Sequence, residues 1–366
     1  MSESADLVAA VISGEGRPGL RVFAPIDPGP LQERPITVDQ TNRSVVVGER
    51  VIVKWMRSPG PDRSPRLLAH LAEAGFTRMP TPHAALFRGD DLVALITQFL
   101  PGALDGWDWG VDALLDGEAD FGAELGVLAA ELHAALATPS SVIPSPVRVM
   151  AGADDWKTAV DEAVAAAGDD WVRSIASRLA VDLAPAAAPA ASPTPELGGT
   201  SKPGGYDNFA ASSTESLSVR ERPGPALLLH GDLHIGQILK WRPKGRSELA
   251  VTDFDGHPTA ADRPEPLARD IAQLRTSILH VAEIANKRTG GQRVEEFRAW
   301  GRRTADDLLA AYVDELTDRN LSHLFDPALL RPFEVEQECR ELVYAARFLP
   351  RWQYAPMGVL KSWYAR

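Results

Sequence analysis

Two short stretches carry side chains whose types and spacing suit chemistry. One is His230-Gly-Asp-Leu-His-Ile-Gly-Gln237; the other is Asp253-Phe-Asp255-Gly256, and each closes an apolar run. Phosphoryl transfer from a nucleotide needs a carboxylate that orients an acceptor hydroxyl and takes its proton. It also needs oxygen ligands for a divalent cation. Asp232 suits the first role, and the amide oxygen of Gln237, five residues on, suits the second. Asp253 adds a carboxylate able to bridge metal and phosphates. Asp255 falls on the same side of an extended strand and is a second ligand or a substrate contact. Hard oxygen donors of this kind favour Mg²⁺. A lone Asp more often caps a turn; it is the order of the whole set that carries the chemical reading.

The elements that must position these groups can be read from periodicity. Residues 19–24, 44–47, 51–54, 83–88 and 92–99 are apolar or β-branched runs bounded by turn residues, hence strands. Gly48-Glu-Arg50 and Gly89-Asp-Asp91 close hairpins, and a helix over 65–74 ends at Gly75. From residue 101 the period becomes helical: Phe121, Leu125, Leu128 and Leu132 share one face. Further helix is expected over 156–183, 269–287, 294–320 and 327–348. Residues 184–225 are dense in Ala, Pro, Gly, Ser and Thr. Such composition buries too little apolar surface to offset its ordering entropy, so a mobile insert is expected there. No internal repeat is visible. The fold class is therefore α+β. Residues 1–100 form a β-rich N-terminal lobe, with 1–38 a candidate cap and 39–100 the sheet and helix. Residues 101–183 form a helical part, and 226–366 the catalytic C-terminal lobe.

His-Gly-Asp with Gln five residues past the Asp, followed by Asp253-Phe-Asp-Gly-His-Pro258 and Ala268-Arg-Asp-Ile-Ala272, resembles the aminoglycoside-phosphotransferase-like branch of the protein-kinase-like fold. Within it the chain is most similar to the actinobacterial maltokinases and glucosamine kinases. The likeness takes in the hairpin over 39–55, Gln98-Phe-Leu-Pro-Gly102, Gly106-Trp107 and the C-terminal helices, and fails over 184–225. It implies a two-lobed kinase that uses ATP and Mg²⁺. In that reading Asp232 is the catalytic base, and Gln237, Asp253 and Asp255 hold metal. Lys54 holds phosphates, as do Asn42 and Ser44 from the loop Thr41-Asn-Arg-Ser44. Gln98, Phe99 and Leu100 form the hinge beside the adenine. His230 and Asp270 are structural, with Asp270 bracing the catalytic loop at a helix start. His234 borders the substrate. Kinases usually pair the strand lysine with a helix glutamate. Here the 65–74 helix has Glu73 only at its far end, where solvent is expected, so the partner of Lys54 is unassigned.

Composition narrows the partners. Of 366 residues 45% are hydrophobic and 24% charged, a soluble globular balance. The formal charge of −12 argues against nucleic acid or an anionic membrane as partner. The single cysteine, Cys339, excludes an intrachain disulfide and reads as a buried thiol. The start Met-Ser-Glu-Ser-Ala-Asp lacks a basic segment, and the apolar run at 7–12 is shorter than a signal core of roughly 7–15 residues. A cytoplasmic protein is expected; the number of subunits is not legible. Gly14-Glu-Gly-Arg-Pro-Gly19 fits a dinucleotide loop by pattern only. Pro18, Pro25, Pro28 and Pro30 prevent a following helix, so it is a surface turn.

The acceptor is read from the C-terminus. Glu334, Glu338 and Glu341 recur at helical spacing, and Trp352 stands in the aromatic stretch that follows. Sugars are bound by aromatic faces and by carboxylates, and a carboxylate also answers an ammonium. Glu338, Glu341, Trp352, His234, Asp255 and Asp232 are the expected substrate contacts. Together with the resemblance to the kinase family this puts glucosamine first, and the resemblance implies transfer to its 6-hydroxyl. Maltose comes second, an aminoglycoside third, and a non-catalytic nucleotide sensor is the rival of another class.

Overall fold

Side-chain alternation sorts the N-terminal sheet into two faces, and this decides where Lys54 points. In this computed structural model the described residues are 2–36, 42–117, 121–150, 156–183, 224–242, 248–257 and 263–365. Residues 184–223 of the expected insert lie outside them. The N-terminal lobe comprises α1 (Glu3–Ser13), β1 (Leu20–Val22), β2 (Glu33–Ile36), β3 (Arg43–Val47), β4 (Val51–Gly60), α2 (Arg63–Glu73), β5 (Pro82–Arg88) and β6 (Asp91–Gln98). The strands form one antiparallel sheet in the order β1-β5-β6-β4-β3-β2.

Val45, Val53, Ala84, Leu86, Ala94 and Ile96 face one way, where Leu7, Val8 and Val11 of α1 cover them. Ala85, Phe87 and Leu95 face the other way, onto Leu67, Leu68 and Leu71 of α2. Strand side chains alternate between faces. Lys54, opposite Ser44 and Leu95, therefore belongs to the α2 face, towards the second lobe.

The second lobe begins with α3 (Gly106–Asp116) and α4 (Gly122–Ala137), followed by β7 (Arg148–Met150), α5 (Trp156–Ala167) and α6 (Asp170–Leu183). Then come β8 (Gly224–Ala226), β9 (Ile238–Trp241) and β10 (Glu248–Val251), and finally α7 (Ala268–Arg288), α8 (Val294–Asp318), α9 (Leu330–Phe348) and α10 (Tyr354–Tyr364). Its core joins Leu128 and Leu132 of α4, Ile271 and Ile278 of α7, Phe297 and Leu308 of α8 and Leu342 of α9. Cys339 is buried there. The short hairpin of β9 and β10 lies against the lobe. Among the described residues no helix is long and apolar enough to cross a membrane.

The structure adds elements that periodicity left out. α1 holds the apolar run at 7–12, which sequence weighed only as a signal core, and β2 contains Pro35. Proline cannot donate to a ladder and is tolerated on an edge strand, which is where β2 lies. α3 starts on Gly106 but is capped by Asp105, whose carboxylate accepts from the Trp107 and Asp108 amides. The expected 327–348 helix is a 3₁₀ turn, Pro327–Leu329, followed by α9.

Candidate active site

The loop from His230 to Gln237 is pinned by bonds to the rest of the lobe. His230 donates from Nε2 to the Thr252 carbonyl at 2.9 Å, while its Nδ1 accepts from the Asp232 amide at 3.3 Å. Those two partners fix the tautomer. The amides of His230 and Gly231 each donate to one oxygen of Asp270 at 3.0 Å. Asp270 is fully buried and meets His133 Nε2 at 3.4 Å; His133 Nδ1 in turn meets the Tyr312 hydroxyl at 2.8 Å. Burial alone would raise the Asp270 carboxyl. The His133 contact and the loop amides outweigh it and hold the group below its ordinary range.

Asp232 thereby emerges with one oxygen engaged. Gln273 of α7 donates to Oδ1 at 2.6 Å, and His234 Nε2 lies 3.9 Å from Oδ2. The Gln237 carbonyl accepts from the Thr252 amide at 2.9 Å, which ties this loop to the strand bearing the second motif.

Asp253 has φ 62°, left-handed backbone that a residue with a Cβ rarely adopts. Its Oδ1 and the Oδ2 of Asp255 each lie 2.8 Å from Lys54 Nζ. The partner that sequence left unassigned is thus this carboxylate pair. Glu73 is exposed and bonds Ser141 instead. Burial opposes charge on Lys54, but Asp253 and Asp255 outweigh it and hold the ammonium above its usual range. Burial would likewise raise Asp255; Lys54 and the Ser64 hydroxyl bring it below.

The two carboxylates already converge on a cation, and Gln237 lines the same cavities. This hard-oxygen set fits Mg²⁺. Among the described residues no cluster of three His, Cys, Asp or Glu side chains is built to hold a metal by itself. An amide and the nucleotide's phosphates would complete the shell.

Lys54, Asp232, Gln237, Asp253, Glu341 and Trp352 line one cavity of about 630 Å³. Asn42, His234 and Asp255 open on it as well. An adjoining slot of about 340 Å³ runs between Ile36 and Ile52 of the sheet and Leu239 of β9, with Ser44, Lys54 and Asp253 at its polar end. Thr41 lies outside the described residues. Of the expected hinge, Gln98 bonds Thr81 through its amide and side chain, and the Phe99 amide bonds the Arg50 carbonyl at 2.7 Å. Leu100 is buried. Thr97, rather than these three side chains, lines the slot.

At the far end of the large cavity Trp352 donates to Glu341 Oε2 at 2.8 Å, and Gln337 donates to Oε1 at 3.1 Å. Trp107 stacks on His234 and meets the edge of Trp352, with ring centres 5.5 and 5.4 Å apart. Glu338 departs from the expected substrate contact. It is fully buried beneath the cavity, does not line it, and bonds His280 Nε2 at 3.0 Å. Burial pushes its carboxyl up to about 7 against the pull of His280. His280 itself reaches the cavity and meets the edge of Trp352.

Gln273 and His280 were not singled out by sequence. Gln273 had a signal: it stands one helical turn beyond Asp270 on the same helix.

No family model matches the chain. It is 37% identical over 349 residues to a glucosamine kinase of Streptacidiphilus jiangxiensis, covering 88% of this chain and 72% of that protein. It is 34% identical over 355 residues to a glucosamine kinase of Mycolicibacterium smegmatis, covering 90% and 79% respectively. A solved glucosamine kinase in complex with glucosamine, ADP and inorganic phosphate matches with TM-score 0.74 and 31% identity, over 98% of this chain and 82% of that one. A second crystal form of a glucosamine kinase gives TM-score 0.75 at 30% identity, over 98% and 84%. Likeness of this depth in sequence and in fold, around a pinned His-Gly-Asp loop, places the chain in the glucosamine kinase family.

Proposed function

We propose that the chain moves the γ-phosphoryl group of ATP to the 6-hydroxyl of glucosamine, giving glucosamine 6-phosphate and ADP. The observation that carries this is the single cavity in which Asp232 stands between a cation-holding end, Lys54 with Asp253, and an aromatic–carboxylate end, Trp352 with Glu341. The relatives named above supply the sugar.

In this reading Gln273 occupies one oxygen of Asp232, so the other faces the acceptor. The hydroxyl proton passes to that carboxylate as the oxygen–phosphorus bond forms and ADP leaves. Lys54 turns from its two carboxylates to the donor phosphates. Gln237 and Asp253 would hold Mg²⁺ with the nucleotide, where it would neutralise the developing charge. The amine of the sugar, cationic at neutral pH, is answered by Glu341, and its ring by Trp352. Most of the acceleration comes from positioning and fixed charge. The chain's dependence on ATP supports a cytoplasmic location.

ADP release by purified protein, measured with glucosamine, glucose, maltose and an aminoglycoside, tests the reading. Glucosamine turnover well above glucose is expected. Activity confined to maltose, or ATP binding with no turnover on any acceptor, overturns it.

A further inference from the structure

Helix α2 lacks the glutamate that kinases use to tie the strand lysine to the helix, yet its first two residues bond directly to the loops of the site. Its first residue, Arg63, sends Nη2 to the carbonyls of Leu229 and His230 at 2.7 and 3.0 Å. The guanidinium also lies against two glycines, one in each catalytic loop. A Cβ at Gly231 would stand 2.9 Å from Nη2, and a Cβ at Gly256 would stand 2.6 Å from Nε. Both glycines have positive φ, 77° and 78°, where a side chain is strained. The next residue, Ser64, bonds Asp255 Oδ1, whose other oxygen holds Lys54.

We infer that Arg63 is a positioning residue: its planar group is the joint that sets the Asp232 loop against the Asp253 loop, and with Ser64 it replaces the missing helix glutamate. Arginine suits this place because the two N–H groups of one fixed Nη2 meet both carbonyls while the flat guanidinium packs on the backbone of Gly231 and Gly256. Lysine offers a point charge on a flexible stem. The inference rests on the proposed phosphoryl transfer only for its kinetic readout. A cavity of about 310 Å³ opens beside Arg63, between Met56, Leu92 and Leu229. It gives a small cation a route to the joint.

The test is Arg63→Ala, assayed with whichever acceptor the wild type turns over best, without and with millimolar guanidinium. A misplacement of the loops should lower kcat about 100-fold, with KM for ATP and acceptor changed less than about threefold and with partial recovery in guanidinium. Arg63→Lys should stay low. Gly256→Ala, which displaces the guanidinium but keeps it, should lower kcat similarly and add little to Arg63→Ala, as expected for sites that act together. Amide hydrogen exchange over 229–237 and 253–256 should quicken in Arg63→Ala and slow again with guanidinium. That readout needs no turnover, so an inactive wild type would sink the proposed function and leave this one open to measurement. Unchanged kcat and exchange in Arg63→Ala overturns the inference, as does a loss that lysine restores. Should Arg63→Ala fail to fold, wild-type kcat in Gly256→Ala overturns it.

Discussion

Gln273 donates to Asp232 Oδ1 at 2.6 Å from the same helix on which Asp270 receives the amides of His230 and Gly231. One helix therefore sets both the backbone of the His230–Gln237 loop and the angle of the Asp232 carboxylate. Asp232→Asn removes the proton acceptor and should lower kcat by about 10³-fold with ADP affinity kept. Gln273→Ala leaves the carboxylate but frees its rotation, and a loss of about tenfold in kcat is expected. Steady-state kinetics beside ADP titration checks both; equal losses would show that Gln273 does more than orient.

Lys54 lies between two carboxylates of the opposite lobe. Lys54→Met should cost about 10²- to 10³-fold in kcat/KM for ATP. Asp253→Asn should weaken the binding of Mn²⁺ with ADP, read by electron paramagnetic resonance in the absence of acceptor. Unchanged Mn²⁺ affinity would remove Asp253 from the metal shell.

Glu341 has both oxygens engaged by neighbours that line the cavity. Glu341→Gln keeps the shape and removes the charge. The KM for glucosamine should rise about 30-fold, in the range of a lost charge-assisted contact, while any turnover of glucose is unaffected. A comparison of the two sugars on one preparation decides it.

Asp270 contributes to stability against acid, beside Glu336, Asp255 and Asp182, which are held below their ordinary range as well. Its folded pKa is depressed, so its contribution is present above the unfolded value near 3.9 and is lost as pH falls through the folded one. Asp270→Asn should unfold more easily at pH 7, by about 3 kcal/mol, because it breaks a buried charged network. Its melting temperature should also change less than that of the wild type between pH 5 and pH 3, about the unfolded pKa. Parallel melting curves would reveal a different acid sensor if both proteins fell alike.

The strands β3 to β6 and the two chemical motifs were legible because each is written locally, as an apolar or β-branched run bounded by turn or polar residues. The partner of Lys54 was not, since Asp253 is 199 residues away in sequence and only the folded cleft brings them together. Glu338 and Glu341 illustrate a subtler limit. Three residues apart, they share a face of α9, yet the small rotation between them sends one carboxylate beneath the cavity and leaves the other at its wall. Spacing reports a face, and packing decides what that face meets. Arg63 was invisible for the same reason: its partners are carbonyls, which every residue has.

Leu104 exchanges backbone hydrogen bonds with Lys240 in both directions, at 3.0 and 2.9 Å, just past the connection between the lobes, while the Phe99 amide is tied to Arg50. The chain is thus clamped to the sheet on one side and to β9 on the other. Between these clamps lies only a turn of Leu100, Pro101, Gly102 and Ala103, closed by the Ala103 amide on the Leu100 carbonyl at 3.3 Å, with Gly102 in left-handed backbone at φ 69°. A swing of one lobe against the other would have that four-residue turn as its pivot, so stiffening it is expected to slow the release of bound nucleotide.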